Sequence, residues 1–347
     1  MTVQNAATYL AKIRAYAPRH FQNGPKTVWH HLPVNRRSAV LLLLFLGSQG
    51  ELRVLLTKRS SKLKSFPGQI SLPGGKADTG LETAWDVALR ETEEEIGIAR
   101  DAQRLMDAYG CSIERLGELP CYMSRNLLAV RPCVGFLSWQ ARDGETSERV
   151  AEELALSLNP GESSSIFSVP VRDIYLSYLA EQAPEKPLEC LGSSRSVYKW
   201  AGIPWCLKSF LFPIESAHEP KWLNNVTDLP SDEEALSDDE KRAISYGRTG
   251  YRRSSITGDM IKDVWGLTAN ILHDLAEIMY ASSVDTEIGE EELIYALRNS
   301  GQSMGNAKGR TPWEKKLIEG DENVSFKDVL PAEEFERLKR MYASAKL

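Results

Sequence analysis

The stretch TGLETAWDVALRETEEEIG, Thr79 to Gly97, constrains this chain more than any other. Thr79-x-x-Glu82 is a capping-box pattern that can start a helix, and Gly97 is a natural stop. Between them Trp85, Ala88, Leu89, Thr92 and Ile96 recur at helical spacing, which predicts the buried stripe. At roughly 100° per residue, Glu91, Glu94 and Glu95 fall in one arc beside that stripe, and Glu93 points to another side. Carboxylates at i, i+3 and i+4 repel each other. A solvated acidic helix face would tolerate this. A hard divalent cation with oxygen ligands would relieve it, and Mg2+ is the usual choice beside phosphates. The helix follows Pro73-Gly74-Gly75, a glycine-rich turn.

The chain around this helix has 347 residues, 42% of them hydrophobic, enough for one large decorated domain or two smaller ones. A net charge of -6 argues against a general nucleic-acid coat protein, so nucleic acid is not expected as a partner. The five cysteines, Cys111, Cys121, Cys133, Cys190 and Cys206, contain no CxxC pair. They read as small buried hydrophobes in a reducing compartment. The longest strongly apolar run, Ala39 to Gly47, is far short of the ~20 residues of a membrane span and reads as a buried strand. It is followed by ELRVLLTKR across the turn composition SQG, a hairpin pattern. Residues 1–36 read as a helical leader. Residues 37–280 carry the main domain, with a charged, mobile insertion around 181–258. Residues 281–347 form a tail with one or two short helices. The last three residues, Ala345-Lys346-Leu347, resemble the SKL-type address read by the peroxisomal import receptor.

Glu82, seven residues, then Arg90-Glu91-Thr92-Glu93-Glu94-Glu95-Ile96-Gly97-Ile98 resembles the Nudix box. Two positions depart from it. Six residues rather than five separate Gly75 from Glu82, and Thr92 stands where an aliphatic residue is usual. The resemblance implies an α/β Nudix fold, a mixed sheet sandwiched between helices. It also implies a hydrolase, dependent on Mg2+ or Mn2+, that cleaves nucleoside diphosphates linked to another moiety. By that resemblance Glu91, Glu94 and Glu95, with Gly75, hold the metal. Arg90 orients Glu91, and one of these carboxylates or one on another loop serves as general base.

Leu55 to Gly75, LLTKRSSKLKSFPGQISLPGG, resembles the signature of the coenzyme A diphosphatase branch. Lys64, Phe66 and Leu72 depart from it, standing for Arg, His and Phe. A basic cluster there, with Arg59 foremost and Lys58 and Lys64 beside it, is expected to meet substrate phosphates, with Gly74 close to the substrate. NPGESSSIFSVPV resembles another stretch of the branch. It marks Glu162 as an extra ligand or base, while Ser165 replaces a second glutamate. The implied substrate is coenzyme A, an acyl-coenzyme A or a coenzyme A disulfide, hydrolysed to 3',5'-ADP and 4'-phosphopantetheine or its derivative. The expected location is peroxisomal, otherwise cytoplasmic, and pairing into a homodimer stays open. Two other readings stand beside this one: a Nudix hydrolase for another or a damaged nucleotide, and an inactive Nudix fold used as a binding module.

Overall fold

The computed structural model describes residues 3–20, 24, 26–140, 154–179, 188–224, 226, 228–229, 249–254, 257–284, 287–300, 303–306 and 308–345. After helix α1 (Val3–Ala15), strand β1 (Arg37–Leu46) forms the spine of a mixed sheet. It pairs antiparallel with β2 (Leu52–Arg59) through Leu44↔Val54 and Leu46↔Leu52, the hairpin expected from the turn composition. Its first half pairs antiparallel with β4 (Gly74–Lys76), and its other edge runs parallel to β7 (Ala129–Trp139). β3 (Ile70–Ser71) and β8 (Ser163–Pro170) add to β2, and β5 (Cys111–Glu118) and β6 (Tyr122–Met123) add to β7.

The uninterrupted apolar run of β1 has a simple cause: both faces of the strand are covered. Leu41, Leu43 and Phe45 enter one core with Val87, Ala88 and Ile96 of helix α2 (Ala84–Ile96). Leu42 and Leu44 enter a second core with Ala6, Leu10 and Ile13 of α1. That second core also takes Ala269, Leu272 and Leu275 of a later helix, Gly266–Tyr280. The mixed sheet is thus sandwiched between helices. Helix α3 (Ala102–Tyr109) leads into β5, and α4 (Val171–Tyr178) follows β8.

A second, antiparallel sheet is built from β9 (Gly192–Trp200), β10 (Ile203–Pro213), β11 (Tyr251–Arg253) and β12 (Met260–Trp265), in the order β11-β12-β10-β9. A short α5 (Lys221–Asn224) follows β10, and the helix Gly266–Tyr280, here α6, leaves directly from β12. The flanks of the expected charged insertion are therefore sheet. Its charged heart, residues 230–248, lies outside the described residues. The two sheets are stapled by buried charge. Arg53 on β2 pairs with Glu189 at 2.7 Å, and Lys262 on β12 lies over the Phe167 ring of β8 at 4.1 Å.

The tail holds three α-helices among the described residues: α7 (Glu291–Ser300), α8 (Pro312–Glu319) and α9 (Ala332–Ala345). The sequence predicts the first and last of these. Thr311, Pro312 and Glu314 supply a capping box and a proline in the first turn, a start signal passed over in a short polar segment. Buried carboxylates bind the tail to the rest. Glu291 accepts from the backbone N–H groups of Val28 (2.7 Å) and Cys121 (2.9 Å), and Glu290 from that of Met123 (2.8 Å). Glu314 pairs with the equally buried Arg36 at 3.0 Å. All five cysteines are free and buried. No helix of the described residues is long and apolar enough to cross a membrane.

Candidate active site

Helix α2 begins later than expected. Thr83 is its N-cap, in a reciprocal box with Asp86, and Gly97 ends it at φ +80°. Glu82, expected in the cap, instead closes the loop before the helix: it accepts from the N–H groups of Asp78 (2.7 Å) and Thr79 (3.1 Å). Its other oxygen receives Arg90 Nε at 2.8 Å. The buried positions of α2 include Ala84, Val87, Ala88, Thr92 and Ile96, while Trp85 and Leu89 are half-buried. Thr92 fits its apolar position because its hydroxyl donates back to the Ala88 carbonyl at 2.7 Å.

Arg90 organises the acidic face. Its Nη1 reaches Glu91 at 3.0 Å and Glu94 at 3.1 Å, and its Nη2 donates to the Lys76 carbonyl at 2.8 Å. Burial works against its charge but is outweighed by Glu82 and Glu91, so its pKa is raised. Glu95 is buried, and burial pushes its carboxyl up to about 8 against the pull of Arg59, with Glu91 and Glu162 adding to the rise. Burial likewise raises Glu91, opposed by Arg90. Glu93 turns away to Arg100 and Arg104 at 3.3 and 3.4 Å.

The glycines are required by contact. A Cβ on Gly75 would stand 2.3 Å from Glu91 Oε2, and one on Gly74 would stand 2.3 Å from the Ala39 carbonyl, at φ +152°. The Gly74 backbone N–H bonds Glu95, and the Gly75 carbonyl receives the Ser38 hydroxyl at 2.5 Å. Glu162 arrives from the far side. Ser157 and Asn159 donate their N–H groups to the carbonyls of Ile96 and Glu95 at 3.0 Å, pinning the incoming segment to the end of α2. The Ser60 N–H then donates to the Glu162 carbonyl at 2.8 Å.

The basic cluster divides. Alternation along β2 sends neighbouring side chains to opposite faces. Arg59 faces the acidic group, within electrostatic reach of Glu95, Glu162 and Glu91, and burial lowers its pKa against their pull. Lys58 is buried on the other face, 4.4 Å from the Tyr251 ring of β11. Lys64 is exposed on the following loop, outside the cleft lining. Of the three basic residues expected to meet substrate phosphates, Arg59 lines the cleft, and Lys58 and Lys64 do not. Leu72 is 3% exposed and belongs to the second core, so its departure from the signature is a packing change. Phe66, at φ +54°, lines the cleft. Ser165 is buried, its hydroxyl 2.9 Å from that of Tyr251.

A cleft of about 1310 Å3 opens beside Arg59, Gly74 and Gly75. Its opposite side is built by residues that the sequence reading left outside the site: Trp200 and Leu207 of the second sheet, Leu267 of α6, and Val324 and Phe335 of the tail. No local motif signals them, because they meet only through tertiary packing.

Residues 35–188 match the NUDIX domain model. The chain is 38% identical over 322 residues to peroxisomal coenzyme A diphosphatase 1 of Saccharomyces cerevisiae, covering 90% of this chain and 89% of that protein. The chain belongs to the Nudix family. It is also 38% identical over 245 residues to the mitochondrial Nudix hydrolase 15 of Arabidopsis thaliana, across 71% of this chain and 59% of that protein. A peroxisomal coenzyme A diphosphatase of Mus musculus is 32% identical over 133 residues, 38% of this chain and 51% of that protein.

The donor set of this Nudix site fits a hard divalent cation. Glu95 Oε2 and Glu162 Oε2 are buried oxygens with no hydrogen-bond partner. Such oxygens are costly unless a cation or donor meets them. Among the described residues no three carboxylates form a closed ligand cluster. Glu94 lies on Arg90, and its side chain is 48% exposed, so it can swing toward an ion without disturbing the core.

Proposed function

We propose that this Nudix hydrolase cleaves the pyrophosphate bond of coenzyme A or its derivatives, giving 3',5'-ADP and 4'-phosphopantetheine or its derivative. The observation that carries the reading is the 38% identity to the yeast coenzyme A diphosphatase, sustained over 89% of that protein. A match over 90% of this chain reaches beyond residues 35–188 into the second sheet that helps to line the cleft.

In this reading Glu91, Glu94, Glu95 and the Gly75 carbonyl hold Mg2+ or Mn2+. The metal supplies neutralisation of pyrophosphate charge and a lower pKa for the attacking water. Arg90 holds Glu91 in place by a charge-assisted hydrogen bond. Arg59, which lines the cleft, meets pyrophosphate oxygens. Water attacks one phosphorus, its proton passes to a carboxylate, and the bridging P–O bond breaks. Glu162 and Glu91 are the carboxylates offered for that proton. The open oxygen of Glu162 and its approach from a separate loop support its candidacy.

Incubation of the purified protein with coenzyme A and Mg2+, followed by mass analysis of products, tests the assignment. Equal amounts of 3',5'-ADP and 4'-phosphopantetheine are expected. Intact coenzyme A, alongside turnover of a dinucleotide or a nucleoside triphosphate, would sink it. We also propose a peroxisomal location, since relatives in yeast and mouse carry that location in their names. Ala345-Lys346-Leu347 is the address this reading assigns, and Lys346 and Leu347 lie outside the described residues. A fluorescent fusion should be peroxisomal with the tripeptide and diffuse without it.

A further inference from the structure

The cleft volume of about 1310 Å3 exceeds the roughly 300–1,000 Å3 of ordinary small-molecule sites. The excess lies away from the metal face, between the β9–β10 hairpin, the start of α6 and the tail. The hairpin turn is unusual. Ala201 and Gly202 both have positive φ, +47° and +93°, the geometry of a tight two-residue hairpin in which a non-glycine residue is disfavoured. Ala201 is held there by the tail: its carbonyl accepts from Phe326 N–H at 2.9 Å and from the Ser325 hydroxyl at 3.0 Å. Trp200 packs edge-on against Trp205 and Phe326, with ring centroids at 4.6 and 5.3 Å. Hairpin and tail are therefore one continuous surface facing the cleft.

The chemistry of that surface separates it from the metal side. Its apolar lining comes from Trp200, Leu207, Leu267 and Phe335, with Tyr198 exposed at the rim. Among the described residues its charges balance. Lys199, Lys327 and Lys339 stand with Asp321, Glu322 and Glu336, and Lys339 lies 3.8 Å from Glu336. The metal side contributes Arg59, Lys76 and Arg125 to the same cleft. A multiply charged phosphate matches the metal side. A long arm without charge matches the surface opposite.

We propose that the β9–β10 hairpin, Leu267 and the tail form an arm-binding wall that receives the uncharged, amide-containing arm of the substrate while the nucleotide stays on the Arg59 side. This rests on the coenzyme A reading and adds which end of the molecule lies where. Tyr198 and Leu267 are specificity residues of the wall, since both line the cleft without being fully buried.

The test uses the full chain with Mg2+, as wild type, as a Tyr198→Ala/Leu267→Ala double variant and as Leu267→Trp, which fills the cleft rather than emptying it. Thermal melting checks that each is folded. KM for coenzyme A is measured together with two inhibition constants: 4'-phosphopantetheine reports the arm, and 3',5'-ADP reports the nucleotide. The wall predicts that KM and the 4'-phosphopantetheine constant rise roughly tenfold in both variants, as loss of apolar burial would require, while the 3',5'-ADP constant stays within about twofold. If the 3',5'-ADP constant rises instead, or both rise together, or neither moves, the wall assignment is overturned. A wild-type enzyme that leaves coenzyme A intact would overturn the substrate reading itself, an outcome visible before any variant is made.

Discussion

At the residue scale the site is an arrangement of unlike carboxylates around two arginines. Glu91 is half-buried and held by Arg90, Glu95 is buried with one open oxygen, and Glu94 is half-exposed and paired to Arg90. Glu91→Gln keeps the shape and removes the charge. It should lower kcat by about 10²–10⁴-fold while coenzyme A still binds, measured by steady-state kinetics and calorimetry. Retained turnover would show that the carboxylate is not in the reaction. Arg90→Ala should cost about 10–100-fold through loss of Glu91 orientation, with a weaker apparent affinity for Mg2+. The split of the basic cluster makes a paired prediction. Arg59→Ala should raise KM for coenzyme A. Lys58→Met should leave KM alone and lower stability by about 0.5–2 kcal/mol through loss of the contact with Tyr251. Urea unfolding and kinetics on the two variants separate the outcomes.

At the element scale the decisive piece is α2, and its start shows how local signals compete. Thr79-x-x-Glu82 and Thr83-x-x-Asp86 both satisfy a capping pattern within eight residues. Arg90 pulls Glu82 out of the cap and into the site, which leaves the cap to Thr83. Thr83→Ala should therefore cost about 0.5–2 kcal/mol by urea unfolding, and Thr79→Ala much less. A larger loss at Thr79 would return the helix start to the earlier residue. Gly97 and the apolar stripe were legible because caps and 3.6-residue periodicity are local. Val87 was missed because a partly buried Trp85 and Leu89 drew the stripe to one side. The face that Lys58 takes is not legible locally, for a different reason. Strand alternation separates it from Arg59, but which face meets the cleft is set by the partner strands.

At the scale of the whole molecule, leader, second sheet and tail are tied to the Nudix core by buried acids, and this sets an acid limit on folding. Burial would raise Glu291, but the His20 ring at 3.6 Å, the Thr27 hydroxyl and two backbone N–H groups outweigh it and hold its folded pKa below the ordinary value. A folded pKa that is depressed gives stability fully present above the unfolded carboxylate value of about 4.3 and lost as pH falls through the folded value. Glu291→Gln should lower stability at neutral pH and flatten its decline across that acid window, read by urea unfolding at several pH values. An unchanged slope would remove Glu291 from the acid response. The sequence by itself determined the glutamate helix, the spine strand and its hairpin, and the family, because each rests on short-range periodicity, capping and motif spacing. Only the tertiary structure decided that Arg59 and not Lys58 faces the cleft, how Glu162 reaches α2, and that the hairpin and tail line the site. Those contacts join residues far apart in the chain, where no local pattern records who will meet whom.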